Sequence, residues 1–126
     1  MQVLGLDHVS VIVADAERAR RFYQEVLGLG LMARPDLGFP GYWLDLGGGR
    51  SVHLMEIPDP CEAVTERPAH GGRDYHFALQ VDDVEAFARH LDALGIPFTR
   101  SRSGRPALFL RDPDGNALEL VEAAGQ

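Results

Sequence analysis

Apolar and polar residues alternate near the start of the chain and then repeat at helical spacing. Residues 6–13 place valine at alternate positions, which predicts a half-buried β-strand. Residues 16–27 repeat apolar side chains every three or four positions, which is typical of an amphipathic helix. Asp15 fits the N-cap of this helix and Gly28 fits its C-terminal cap. Three short strands are predicted next, near 29–34, 41–46 and 51–57.

The same order of elements returns in the second half of the chain. Residues 75–81 predict a strand with apolar side chains on one face. Asp82 and Asp83 fit the N-cap of a helix that runs to Leu94, and Gly95 fits its end. Three further strands are predicted at 96–100, 107–111 and 117–122, with a turn at Asp112–Gly115 before the last.

The chain is therefore interpreted as an internal duplication of a β-α-β-β-β unit. His8 and His76 lie 68 residues apart, and His53 and Glu119 lie 66 apart, so the two copies are nearly in phase. One such unit is too short to bury its sheet alone, so two are expected to pair. The predicted organisation is one α+β domain over residues 1–126, with module 1 at about 4–57, a linker at 58–74 and module 2 at about 75–122.

Composition excludes several classes of function. The net charge is −7, which argues against a nucleic-acid partner. The basic residues are 12 arginines with no lysine, so a lysine Schiff base and a Walker-type phosphate loop are excluded. Cys61 is the single cysteine and cannot form an internal disulfide. No signal peptide or membrane-length apolar run is recognised, so a cytoplasmic location is expected.

Four metal-competent side chains occupy matched positions in the two copies: His8 and His76 in the first strands, His53 and Glu119 in the last. Strand alternation places all four away from the helix layer. Singly, a strand histidine is more often a core residue and a strand glutamate a solvated one. Their matched placement favours a site for one divalent ion of Zn, Ni, Co, Mn or Fe. The other two histidines, His70 and His90, are predicted to be exposed.

Several segments carry a resemblance to a known family: Leu6–Val9, Arg21–Tyr23, Val26–Gly28, Val52–Leu54, Tyr75–Ala78, Asp112–Asn116 and Glu119–Leu120. With these, nearly the whole chain resembles the vicinal oxygen chelate superfamily. That superfamily includes glyoxalase I, fosfomycin-resistance thiol transferases, extradiol dioxygenases and bleomycin-resistance proteins. The resemblance implies two paired βαβββ modules forming a cupped, incomplete barrel with helices outside, and a homodimer. It implies His8, His76 and Glu119 as ligands, with His53 where glyoxalase I has a ligand glutamate.

Departures from the family patterns bear on the substrate. Ile12 and Ile57 stand where glyoxalase I has an arginine and an asparagine for glutathione, so no glutathione clamp is recognised. Thr99 and Phe109 stand where fosfomycin-resistance enzymes have a lysine and a tyrosine for the phosphonate. Bleomycin-binding members generally lack the metal ligands, so the intact set argues against sequestration alone.

The function predicted first is a metal-dependent lyase or isomerase of the glyoxalase type, similar to lactoylglutathione lyase. Its substrate is a small molecule that chelates the metal through adjacent oxygens, and Glu119 is the candidate catalytic base. Two alternatives remain open. One is a non-haem dioxygenase using His8, His76 and Glu119, or a thiol transferase of the fosfomycin-resistance type. The other is a resistance protein that sequesters a hydrophobic ligand. Candidate substrate-binding residues are Ser10, Trp43, Met55, Arg102, Ser103, Arg105 and Phe109.

Overall fold

The computed structural model describes residues 1–61 and 66–124. The chain divides into two compact units, Met1–Ala63 and Val64–Gln126. Each unit contains one open sheet of four strands and one main helix, in the order strand, helix, three strands. The predicted α+β class and the duplicated βαβββ order are thereby confirmed. In the described part of the chain, no helix has the length and apolar character that crossing a membrane requires.

The first unit builds its sheet in the order β1-β4-β3-β2. Its elements are β1 (His8–Ile12), helix α1 (Ala16–Arg21), a π-helical continuation (Phe22–Val26), β2 (Gly30–Met32), β3 (Gly41–Gly47) and β4 (Arg50–Met55). Strands β1 and β4 run parallel, and the other neighbours are antiparallel. As the sequence predicts, the Asp15 carboxylate accepts a hydrogen bond from the Arg18 backbone N–H at the start of α1.

The second unit repeats this topology in the order β5-β8-β7-β6. Its elements are a 3-10 turn (Gly71–Arg73), β5 (His76–Val81), α2 (Val84–Leu94), β6 (Thr99–Arg100), β7 (Ala107–Arg111) and β8 (Ala117–Glu122). The Asp83 carboxylate caps α2 at the Ala86 N–H. Gly95 ends α2 with a φ of 70°, a left-handed conformation that favours glycine.

Strand alternation separates an apolar core face from a second face, which carries the histidines in each sheet and is largely polar in the first sheet. The core of the first unit contains the fully buried Leu44, Val52 and Leu54 beside α1. The core of the second contains Leu108, Leu118 and Leu120 beside α2, with Leu91 of that helix at 0% exposure. A glutamate at the end of the fourth strand also binds the helix N-terminus in both units: Glu56 accepts from Ala16 N–H, and Glu122 accepts from Val84 N–H.

Two features differ from the sequence predictions. The helix predicted over 16–27 is α-helical only to Arg21 and continues as a π-helix over Phe22–Val26, which a 3.6-residue periodicity does not distinguish. The second half of the segment interpreted as a linker also has structure, because it contains the 3-10 turn Gly71–Arg73 and the buried carboxylate of Asp74. Residues 62–65 of that segment lie outside the described residues.

Candidate metal centre

In the first unit, two histidines lie on the polar face of neighbouring parallel strands. His8 pairs with Ser51 and Ser10 pairs with His53 in the β1–β4 register, so the histidines are offset by two residues on one face. Their rings stack with centroids 4.0 Å apart and an interplanar angle of 10°. This confirms that alternation brings His8 and His53 together.

The imidazole of His8 is oriented by the residue before it. Its Nδ1 lies 2.7 Å from the Asp7 carboxylate, so Nδ1–H donates to that oxygen. A histidine that donates through one ring nitrogen to a carboxylate leaves the other as a basic lone pair, which is the usual arrangement around a metal-binding imidazole. Nε2 of His8 is therefore the atom available to a cation.

His53 is held differently from His8. Its ring lies between His8 and Trp43, and the Trp43 ring is 4.1 Å away at an interplanar angle of 7°. Its Nε2 is 2.9 Å from the Ser51 hydroxyl oxygen. Burial lowers the pKa of His53, and the neighbouring His8 lowers this pKa further, so the ring stays neutral near pH 7. The nitrogen lone pair of an imidazole lies in the plane of its ring. Because the rings of His8 and His53 are stacked and nearly parallel, a single ion cannot lie in both ring planes.

The second unit repeats the offset pair with a carboxylate in the last strand. His76 pairs with Ala117, and Ala78 pairs with Glu119, in the β5–β8 register. Nε2 of His76 lies 3.5 Å from a carboxylate oxygen of Glu119. Glu119 is only 7% exposed because β8 lies between β5 and β7 in the sheet. A carboxylate buried this far requires a cation or hydrogen-bond donors beside it.

An ion-pair cluster that the sequence analysis did not find orients His76. Nδ1 of His76 lies 2.9 Å from the Asp74 carbonyl oxygen and donates to it, which leaves Nε2 facing Glu119. The Asp74 side chain is 8% exposed and pairs with Arg111 at 2.8 Å and with Arg67 at 3.0 Å. Burial raises the pKa of Asp74, but the hydrogen bonds from Arg111 and Arg67 outweigh it and hold this pKa below its usual value.

Arg111 also fixes the backbone around this cluster. Its guanidinium donates to the carbonyl oxygens of Gly115 and Pro68 at 2.8 and 2.6 Å. One side chain thus connects the turn before β8, which carries Glu119, with the segment before His76. No local sequence pattern predicts this contact, because Arg111 and Asp74 are 37 residues apart.

The prediction that His70 is exposed is wrong, whereas His90 is exposed as predicted. The His70 ring is half-buried, with Nδ1 2.6 Å from the Thr99 hydroxyl and the ring 5.0 Å from that of Phe109. Burial lowers the pKa of His70, and the charge of Arg102 lowers it further. The tertiary fold, rather than any local pattern, brings His70 back onto the sheet.

Phe109 lies between two histidines on the face of the second sheet. It pairs with Glu119 across β7 and β8, and its ring meets that of His76 edge-on at 5.1 Å. Phe109 also borders an open pocket of about 160 Å³. The lining residues are Ala69, Gly71, Ile96, Pro97, Phe98, Thr99, Phe109, Leu110 and Arg111. Phe109 is thus both a neighbour of the His76–Glu119 pair and a wall of this pocket.

The remaining predicted binding residues fall into two groups. Ser10, Trp43 and Met55 lie on the polar face of the first sheet, where Ser10 and Trp43 both pair with His53. Arg102, Ser103 and Arg105 lie in an exposed loop before β7. The Ser103 hydroxyl is 2.8 Å from that of Ser101 and accepts from the Arg105 backbone N–H, so side chains within the loop order it.

The donor atoms fit a divalent cation in type and spacing. Two ligands at about 2.0–2.1 Å from a tetrahedral ion lie roughly 3.3 Å apart, close to the observed 3.5 Å between His76 and Glu119. His8 and His76 both carry an oriented ring with Nε2 available. Within residues 1–61 and 66–124, no three metal-competent side chains form one complete cluster, so the donors occur as a pair in each unit.

Comparisons with known proteins agree with the duplicated α+β fold. A family model described as the Glyoxalase/Bleomycin resistance protein/Dioxygenase superfamily matches residues 5–120. The chain belongs to this superfamily. It is 32% identical to Glyoxylase I 4 of Arabidopsis thaliana, over 95% of this chain and 71% of that protein. It is 30% identical to the lactoylglutathione lyase of Haemophilus influenzae, over 97% of this chain and 93% of that protein.

A solved structure extends the comparison to a binding protein. The chain aligns with TnmS3, an antibiotic binding protein from Streptomyces sp. CB03234, with a TM-score of 0.73 and 26% identity. The alignment covers 98% of this chain and 99% of that one. The fold is therefore shared by lyases and by a protein described as binding an antibiotic.

Proposed function

We propose that this chain is a metal-dependent lyase or isomerase of the glyoxalase type. The observation that carries the proposal is the state of two imidazoles: His8 and His76 each donate through Nδ1 and keep Nε2 available. Together with the buried Glu119 they supply two imidazole nitrogens and one carboxylate. In this proposal these donors bind one divalent ion, of Zn, Ni, Co, Mn or Fe.

The residues of the chain have separate roles in the proposed reaction. A bound metal ion supplies Lewis-acid polarisation to substrate oxygens. Glu119 moves a proton at the carbon next to those oxygens, since its carboxylate is buried beside His76 and excluded from bulk water. Ser10, Trp43 and Met55 contact the substrate on the face of the first sheet, and Phe109 contacts it in the second unit.

The direct test is turnover of the hemithioacetals formed by methylglyoxal with several thiols. The chain is reconstituted with each candidate metal before the assay. We expect a rate that depends on the metal and, because the glutathione clamp positions are Ile12 and Ile57, no strict requirement for glutathione. Metal-bound protein that turns over none of these substrates would contradict the glyoxalase-type activity.

His53 is expected to contribute less to metal binding than His8. Its stacked ring and its hydrogen bond with Ser51 direct it away from a ligand role shared with His8. We expect His53→Ala to retain most of the bound metal and His8→Ala to lose it, as measured by elemental analysis of dialysed protein. His90→Ala, on the exposed face of α2, is the control. Equal loss of bound metal in the His53→Ala and His8→Ala variants would instead support four ligands: His8, His53, His76 and Glu119.

The geometry of His53 favours one second candidate. Without His53, the ligands His8, His76 and Glu119 are a 2-His-1-carboxylate set, which is the arrangement of non-haem Fe(II) oxygenases. Oxygen uptake with catechols by the Fe(II)-loaded chain would favour a dioxygenase over the isomerase. A small ligand that binds equally with and without metal would favour sequestration.

The exposed loop at Ser101–Pro106 is proposed to contact an anionic part of the substrate. Arg102 and Arg105 project from it, and side-chain hydrogen bonds within the loop order its backbone. Arg102→Ala and Arg105→Ala are expected to raise KM about threefold to tenfold, as for a partly exposed charged hydrogen bond, with bound metal unchanged. Steady-state kinetics with Arg89→Ala as control test this. Unchanged KM in both loop variants would remove the loop from the site.

We also propose a homodimer, as the family resemblance implies, and a cytoplasmic location. Sedimentation equilibrium tests the oligomeric state. Mixing the inactive His8→Ala and Glu119→Ala variants tests whether one site takes residues from two copies, because activity then returns on mixing.

A further inference from the structure

Arg34, which follows β2, is a cation held in a fixed position. One amino group of its guanidinium donates to the Phe39 carbonyl oxygen at 3.0 Å. The guanidinium carbon lies 4.9 Å from the centroid of the Phe39 ring. A side-chain carbon at Gly41 would clash with the Leu54 backbone oxygen and would also come within 3.0 Å of the same guanidinium, so Gly41 lies against both groups. An arginine fixed this way loses little further entropy when it binds a ligand.

The charge of Arg34 has no counter-ion among the residues that the structure describes. Arg20, Arg67, Arg100 and Arg111 each pair with a carboxylate there, whereas Arg34 bonds only a backbone carbonyl. Its Nε is buried with no hydrogen-bond partner within the same residues. A guanidinium has five donors, and a half-buried one that uses a single donor is short of acceptors.

Arg34 lies close to the stacked rings of the candidate metal centre. Met32 pairs with Trp43 across β2 and β3, and Trp43 pairs with His53 across β3 and β4. Gly41, which lies against the guanidinium, is two residues from Trp43 and therefore on the same face. The positive charge also contributes to the lowered pKa of His53. A ligand group bound by Arg34 would thus lie beside the Trp43–His53 stack.

We propose that Arg34 is an oxyanion-binding residue that takes a carboxylate or phosphate group of the ligand. Its planar donors match the oxygens of either group, and Phe39 fixes the plane of the guanidinium. Arg34 differs from Arg102 and Arg105, which are exposed in a loop, because it is held before any ligand arrives. The link to catalysis rests on the proposed function, whereas anion binding itself needs no metal.

The test uses the full chain stripped of metal, with the fluorescence of Trp43, the single tryptophan, as the signal. The probes are acetate and inorganic phosphate at constant ionic strength, with neutral acetamide as the control. We expect saturable binding of an anion and none of acetamide, and the tighter anion identifies a carboxylate or a phosphate as the natural group. Arg34→Met should weaken binding about tenfold to a hundredfold, as for loss of a charged hydrogen bond.

The matched control is Arg21→Met, which removes an exposed charge from the same unit. A second variant, Arg34→Lys, keeps the positive charge. If the variants fold poorly, the NMR resonance of the Arg34 Nε–H group in the wild-type chain reports anion binding instead. No anion binding by the wild type, equal binding by Arg34→Met, or equal weakening in Arg21→Met would each overturn the proposal. Anion binding is measured on metal-free protein. A failed turnover assay would therefore contradict the proposed function without affecting the result for Arg34.

Discussion

Glu119→Gln is expected to lower kcat by about 10²–10⁴, which is the range for loss of a positioned general base. The carboxylate is buried in the interior strand β8 and lies 3.5 Å from Nε2 of His76. In the proposed function its charge would serve both the cation and the proton transfer. Glutamine keeps the shape but neither the charge nor the basicity. Steady-state kinetics at saturating metal separate the contribution of Glu119 to metal binding from its contribution as a base. Added metal restores the occupancy of the metal site, but it does not replace the base.

Glu25→Gln is the control for this substitution, since Glu25 is an exposed carboxylate in the first unit. It should leave kcat unchanged. A Glu119→Gln variant that recovers wild-type kcat at saturating metal would show that Glu119 is only a ligand. The base would then lie elsewhere in the chain.

Arg111→Met is expected to be the most destabilising single change outside the hydrophobic cores. It removes the shorter of the two ion pairs of the buried Asp74 carboxylate and two hydrogen bonds to backbone carbonyls. Asp74 would keep only its ion pair with Arg67 and a hydrogen bond from the Tyr75 backbone N–H. Removing one ion pair from a buried carboxylate in this way costs about 2–3 kcal/mol of unfolding free energy. Urea unfolding measures this, with the exposed Arg89→Met as control.

Arg111→Met should also change the tautomer of His76, which a loss of stability alone would not do. Because Asp74 supplies the carbonyl that accepts from His76, the imidazole should lose its fixed tautomer, and metal affinity should fall about tenfold to a hundredfold. Imidazole nitrogen shifts in the metal-free protein report the tautomer directly. A His76 tautomer unchanged from wild type would limit Arg111 to a stabilising role.

The difference in unfolding free energy between wild type and Arg111→Met should also depend on pH. The folded-state pKa of Asp74 is lowered, so its ion pairs stabilise the fold above the unfolded-state pKa of this carboxyl group. That stability is lost as the pH falls through the folded-state pKa. The difference between wild type and Arg111→Met should therefore narrow below about pH 4. A difference that stays constant to lower pH would exclude Asp74 as its source.

Local patterns in the sequence predict most of the fold. Asp15, Asp83 and Gly95 mark helix ends by their own chemistry, and strand alternation places His8 and His53 on one face. These features depend on neighbouring residues, so a single sequence contains them. The π-helix at Phe22–Val26 does not follow from periodicity, because an i→i+5 bond requires no change in residue type.

The residues that orient the candidate site depend instead on contacts between distant positions. Asp74 meets Arg111 across 37 residues, and His70 meets Thr99 across 29. Arg34 is distinctive because its buried Nε has no hydrogen-bond partner within the described part of the chain. Such pairings follow from strand order, and residue spacing does not reveal them. Sequence analysis therefore identifies the candidate ligands but not the side chains that hold them.

Metal stoichiometry decides whether His8, His76 and Glu119 bind one divalent ion. Untagged protein is loaded, dialysed and assayed by elemental analysis beside His8→Ala, His76→Ala and His90→Ala. We expect about one ion per chain in wild type and in His90→Ala, and a loss of affinity of at least about tenfold in the other two variants. Metal content that is unaffected by both His8→Ala and His76→Ala would contradict it.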